Sequence, residues 1–234
     1  PRPCSRPNSG LDDGSGLQAR WYAYTATEDG YITVSSCGAP SDTRAYILGG
    51  TCDSLAVLSA NDDRCLMSTG DPYATLAEAP VTAGETYYIM WDDYWDTTGF
   101  DWELTETAGD LPESNFCASA LAVDPGTYTT SEFGEASVAL GLLGASSNSA
   151  SSVYAPQLYS GAAWYSFTPE QDGTMSISSC GTDEDTYVIV YTGTCDNIGT
   201  LESVALSDDD CILASEIVDL EVTAGTTYYS EWLE

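Results

Sequence analysis

The most concentrated polar chemistry in the chain occurs twice: Asp42 with Asn61, Asp62 and Asp63, and Asp185 with Asp208, Asp209 and Asp210. Hard oxygen donors gathered on loops suit Ca2+, which takes about six to eight oxygens from carboxylates and carbonyls. Turns at strand ends use the same residue types, because Asp and Asn side chains cap nearby backbone groups. The spacing matches no defined calcium loop such as the EF-hand, so both readings stand open. Ca2+ is the one cofactor suggested. A second group, Trp91, Tyr94 and Trp95 in "WDDYWD" (91–96), sets aromatic rings beside carboxylates. Such rings can face a sugar, and core rings beside a loop edge have the same composition.

Catalysis has little to stand on. The 234 residues carry 37 Asp+Glu, five Lys+Arg and no His, for a formal net charge of −32. Without His there is no Ser-His-Asp or Cys-His pair and no imidazole metal ligand. A carboxylate pair can cleave glycosides, but in so acidic a chain two neighbouring acids say nothing. The G-x-S-x-G elbow is also absent, and no enzyme is expected. Nucleic acid and anionic membranes both need a basic face, which this charge balance denies. No apolar run reaches the ~20 residues of a spanning helix, so membrane insertion is not expected either.

The elements that hold these residues emerge from an internal repeat. "WYAYTATEDGYITVSSC" (21–37) aligns with "WYSFTPEQDGTMSISSC" (164–180), and "VTAGETYY" (81–88) with "VTAGTTYY" (222–229). Between them "CGAPSDTRAYILGGTC" (37–52) matches "CGTDEDTYVIVYTGTC" (180–195), and "NDDRC" (61–65) meets "SDDDC" (207–211). Cys4, Cys37, Cys52 and Cys65 fall in register with Cys117, Cys180, Cys195 and Cys211. Two copies of one domain are expected, at 1–108 and 109–234, joined near "TAGDLPES" (107–114), whose Gly, Pro and acidic residues suit a linker.

Within each copy short β-branched and aromatic runs alternate with period two and are separated by Gly, Asp, Asn and Ser. "GFDWELTE" (99–106) puts Phe100, Trp102 and Leu104 on one face. "EASVALGLLGASS" (135–147) reads as a strand and a long loop as readily as a helix. The fold class is all-β: two tandem antiparallel, jelly-roll-like β-sandwiches stapled by disulfides.

Without C-x-x-C pairs or His, the eight cysteines fit disulfides better than zinc. Disulfides imply an oxidising location, extracellular or on the cell surface. Residues 44–49 and 54–60 read as a hairpin with Cys52 at its turn and Cys65 beyond the far end of the returning strand. At ~3.3 Å per residue these two lie too far apart to bond. Cys37 ends the preceding strand at the same end as Cys65. The expected pairs are Cys37–Cys65 and Cys4–Cys52, and by repetition Cys180–Cys211 and Cys117–Cys195.

The ordered words "W-Y-x-(Y/F)-T-x-x-x-D-G", "S-S-C-G", "D-T", "G-T-C-D", "D-D-x-C" and "V-T-A-G-x-T-Y-Y" resemble the pre-peptidase C-terminal (PPC) type of β-sandwich, over Trp21–Glu106 and Cys117–Glu234. The resemblance implies modules repeated in secreted and cell-surface bacterial proteins, as adhesive, spacer or calcium-stabilised domains, and no active site.

The copies are unequal. Seventeen positions separate Cys4 from Trp21, whereas 47 separate Cys117 from Trp164. Conversely, nothing in the second copy corresponds to residues 98–106, so its last strand is expected to be missing. Tyr228, Tyr229 and Trp232 match Tyr87, Tyr88 and Trp91, which marks the strand they occupy as the expected acceptor edge. An open edge calls for a filler: a neighbouring molecule, continuing residues of a longer polypeptide, or acidic blunting. The function expected is an extracellular structural subunit that polymerises head to tail by strand donation, with copies of itself as partners. The alternatives are an adhesive or carbohydrate-binding tandem module, with glycans as partners, or an accessory region of a larger secreted protein.

Overall fold

The computed structural model describes residues 19–61, 64–71, 73–92, 99–111, 113–128 and 162–233, leaving out the Asp92 side chain. The fold is all-β. Two compact units divide at Leu111/Pro112, with Asp196–Gly199 grouped with the first.

The first unit contains β1 (Ala19–Thr25), β2 (Gly30–Ser35), β3 (Arg44–Thr51), β4 (Ser54–Asn61), β5 (Leu76–Val81), β6 (Thr86–Asp92) and β7 (Glu103–Ala108). One sheet has the order β1-β6-β3-β4 and the other β5-β2-β7. Alternation decides which side chains meet between them, because successive residues of a strand face opposite ways. Ile32 and Val34 of β2, Ala77 and Ala79 of β5, Ala45 and Ile47 of β3, and Ile89 and Trp91 of β6 form the core. Phe100, Trp102 and Leu104 pack against it, on the single face that their alternation implied.

The second unit contains β8 (Leu121–Ala122), β9 (Ala162–Phe167), β10 (Gly173–Ser178), β11 (Tyr187–Thr192), β12 (Glu202–Asp208), β13 (Glu216–Val222) and β14 (Tyr228–Leu233). Its larger sheet, β12-β11-β14-β9-β8, repeats the first unit's order and adds β8, which runs parallel to β9. The smaller sheet holds only β10 and β13. Position by position β10 matches β2 and β13 matches β5, and no described strand takes the place of β7. The stretch 135–147 lies outside the described residues.

Local chemistry repeats as faithfully as strand order. Ser36 and Thr43 share a hydrogen bond of 2.7 Å, and both hydroxyls accept from the Thr75 backbone N–H at 3.0 Å. Ser179, Thr186 and Ser215 reproduce this with the same distances. Each network sits beside a disulfide, Cys37–Cys65 or Cys180–Cys211. From Thr75 to Val81 the chain takes one step fewer than from Ser215 to Val222, and the extra residue is accommodated in β13 as an irregular register opposite Met175 and Ile177. That insertion is a β-bulge.

Candidate functional site

The seat of β7 in the first unit has no counterpart among the described strands of the second. β7 runs antiparallel to β2 with Gly30 opposite Ala108 and Ser35 opposite Glu103. Trp102 packs edge-on to Tyr22 at 4.8 Å and tilted against Trp91 at 5.6 Å, and Phe100 meets Trp91 at 5.0 Å. Glu106 fastens the strand to the β1–β2 connection. Its Oε1 accepts from the N–H groups of Thr27 (2.7 Å) and Glu28 (3.3 Å), and its Oε2 accepts from the hydroxyls of Tyr24 (2.9 Å) and Thr27. The Thr27 hydroxyl first, then Tyr24 and the backbone donors, outweigh desolvation and hold the Glu106 carboxyl down at about 2 from an ordinary 4.5. Tyr24 is raised in turn by desolvation and by Glu106.

In the second unit the equivalent strand, β10, pairs with β13 on one side and with no described strand on the other. Ile32 and Val34 are 0% exposed, whereas their equivalents Met175 and Ile177 are only half-buried. A Cβ placed on Gly30 would meet the Thr107 carbonyl oxygen of β7 at 2.0 Å, so only glycine lets β7 approach this closely. The equivalent Gly173 has nothing within 4 Å. Trp91 is 3% exposed beneath Phe100 and Trp102, while its equivalent Trp232 is half-buried.

These facts correct the expected acceptor edge. β14, which carries Tyr228, Tyr229 and Trp232, pairs with β11 on one side and β9 on the other, so it is interior to its sheet. The reason is topological: β6 and β14 each sit between two neighbours, and β7 joins the opposite sheet beside β2. Among the described residues, the edge in the position of β2's β7-facing side is that of β10. Trp232 keeps a part in it, because its ring occupies the position that Phe100 and Trp102 cover in the first unit.

Of the two readings of Trp91, core ring or ligand-facing ring, the structure bears out the first; Tyr94 and Trp95 lie outside the described residues.

Among the acidic candidates, Asp185, Asp208 and Asp209 bring carboxylate oxygens within 4.8 Å of one another. Burial first, and then the charges of Asp209, Asp185 and Asp210, raise Asp208 above the usual carboxylate value. A divalent cation placed there would relieve that repulsion. Asp210 stands outside this trio and accepts a hydrogen bond from the Ser207 hydroxyl, and Asp209 has a turn-like φ of 59°. In the first unit Asn61 is buried and accepts from the Leu76 N–H at 3.3 Å, which is a structural cap. Asp62 and Asp63 lie outside the described residues.

Cys37–Cys65, Cys117–Cys195 and Cys180–Cys211 are bonded, with Cα–Cα distances of 5.4–5.7 Å. Cys52 is also disulfide-bonded, and its expected partner Cys4 lies outside the described residues. Such a set of bonds fits a protein of a non-cytoplasmic, oxidising compartment. No helix among the described residues is long and apolar enough to cross a membrane.

One buried polar pair belongs to no sequence motif. The Tyr191 hydroxyl donates to Glu231 Oε2 at 3.0 Å, and both side chains are fully buried. Their equivalents in the first copy are Leu48 and Met90, so the only hint lay in where the two copies disagree. Desolvation, and then Glu231, push the Tyr191 hydroxyl well above its ordinary value.

No family model matches the chain, and no curated protein matches it. Among solved structures, the crystal structure of PBSX exported protein XepA is 8% identical, with 92% of this chain and 81% of that one covered, at a TM-score of 0.28. At that TM-score the likeness carries no argument about fold or function.

Proposed function

We propose that this protein is an extracellular structural subunit that assembles into a filament or surface appendage by adding a β-strand across the open edge of its second unit. The observation that carries the reading is the edge of β10, with Gly173, Met175 and Ile177 in the condition that β2 would have without β7. An unpaired edge next to half-covered apolar side chains is a template for strand addition, where main-chain hydrogen bonds hold the incoming segment and alternate side chains select it. A contact between two different surfaces of identical copies is heterologous, and unless the rotation closes it propagates into a fibre. The disulfides support an extracellular setting, and calcium at Asp185, Asp208 and Asp209 would stiffen the loops at one end of the unit. Purified protein examined by negative-stain electron microscopy and light scattering tests the reading. Regular filaments are expected; monodisperse particles of about one chain mass, 24.8 kDa, at high concentration and with calcium present would overturn it.

A further inference from the structure

The slot beside β10 differs from the slot that β7 fills, and the differences describe its occupant. The residues that grip Glu106 in the first unit are Tyr24 and Thr27, and the equivalents in the second are Phe167 and Glu170. A strand shaped like β7 would set its glutamate against a phenyl ring and another carboxylate. β7 of a second copy is therefore a poor fit, and the occupant must be free of acid at that point. It needs apolar side chains at alternate positions, to cover Met175, Ile177 and the Trp232 ring. It also needs to come close to the backbone at Gly173, where the absence of a Cβ leaves room for a carbonyl as at Gly30.

The chain contains a segment with this chemistry. Residues 136–161 include no charged side chain, in a protein of net charge −32. Within them "ASVALGLL" (136–143) alternates Val138, Leu140 and Leu142 with Ser137, Ala139 and Gly141. Over 137–142 one face is aliphatic and the other small, the pattern of a strand laid over an apolar surface, and Leu143 follows at the end of the small side. The N-terminal arm, "PRPCSRPNSGLDDGSGLQAR" (1–20), has neither the alternation nor the freedom from Pro. The segment also belongs to the stretch between Cys117 and Trp164 that has no equivalent between Cys4 and Trp21.

We infer that residues 136–143 of a second copy fill the slot beside β10, pairing with it as β7 pairs with β2. This rests on the strand-addition reading above. The test places cysteine at Thr174, an exposed β10 position, and in turn at Ser137, Ala139 or Gly141, with mild oxidation and a non-reducing gel. At least one pair is expected to give disulfide-linked oligomers. Leu140→Asp and, on the acceptor side, Met175→Asp are expected to raise the concentration needed for assembly by about tenfold or more, the cost of about one buried aliphatic group. Circular dichroism of each variant checks that the fold is retained, and a synthetic peptide of residues 135–144 in excess is expected to shorten wild-type filaments.

Filaments that form normally in Leu140→Asp, with no crosslink from any pair, would overturn the donor assignment and leave the filament reading standing. A ladder that stops at a closed dimer would overturn the filament and leave the donor standing. A crosslink confined to single chains would show that the segment folds back on its own unit and would refute the second copy as its source. Wild-type protein that stays monomeric removes both.

Discussion

Replacing Ile32 or Met175 by alanine deletes the same number of side-chain heavy atoms from equivalent positions of the two units. Ile32 is 0% exposed between β5 and β7. The lost atoms amount to about three methylenes at about 0.8 kcal/mol each, and a partly relaxed cavity adds to that, so Ile32→Ala should cost about 3 kcal/mol. Met175 is half-buried, because its strand has one described neighbour; in the dispersed protein its replacement should cost about 1 kcal/mol, since much of the side chain already faces water. For a unit of this size each kcal/mol moves the melting temperature by about 4–8 °C, so the two variants should separate clearly. Hydrogen exchange in increasing urea, followed on peptides from β2 and β10, reads each unit separately. In assembled material the cost of Met175→Ala should climb toward that of Ile32→Ala, because a donated strand would cover it. Equal costs in dispersed, monomeric chains would refute the reasoning: Met175 would then be covered within its own chain and β10 would have no vacancy.

Glu106 ties β7 down as a carboxylate, with its folded value depressed to about 2 from 4.5. A depressed acid stabilises above its unfolded value, so the first unit should keep this contribution at neutral pH and lose it as pH falls from about 4.5 toward 2. Melting curves across that window should flatten in Glu106→Gln. Asp208 has the opposite sign. Its folded value is raised, so its ionisation costs stability at neutral pH and the cost is relieved as pH falls through that raised value. Calcium should therefore raise the melting temperature of the second unit, and Asp208→Asn should raise it in chelator and abolish the calcium response; an unchanged midpoint on adding calcium would leave the cluster as turn caps. Double Cys→Ala variants should follow loop length, with Cys37–Cys65 (separation 28) worth about 3.6 kcal/mol and Cys117–Cys195 (separation 78) about 4.5 kcal/mol in urea denaturation.

Much of this was legible in one dimension, because both the repeat and the strand period are local. The alternation that put Phe100, Trp102 and Leu104 on one face needs only the pleat of an extended chain. Cys37–Cys65 followed from rise per residue and the position of a hairpin turn. The acidic residues were found by type, but which of them converge was not readable: Asp210 turns to Ser207 and Asn61 caps Leu76, and both are decided by short-range packing at loop ends. Trp91 was readable as an aromatic and unreadable as buried, since its cover comes from Phe100 and Trp102 on the segment that leads into β7 of the other sheet.

Two copies of one all-β unit, cysteines that can pair in register, and no run within 109–234 that matches residues 98–106 are all read from the chain itself. Which described strand the residues 98–106 pair with, through β7, came from the tertiary structure. Consecutive strands need not be neighbours in a sandwich: β7 follows β6 in the chain yet hydrogen-bonds to β2, across the core from it. Among the described strands, the one left with a single neighbour is therefore Gly173–Ser178 and not Tyr228–Leu233, because hydrogen-bonded neighbours are set by how the two sheets fold over each other.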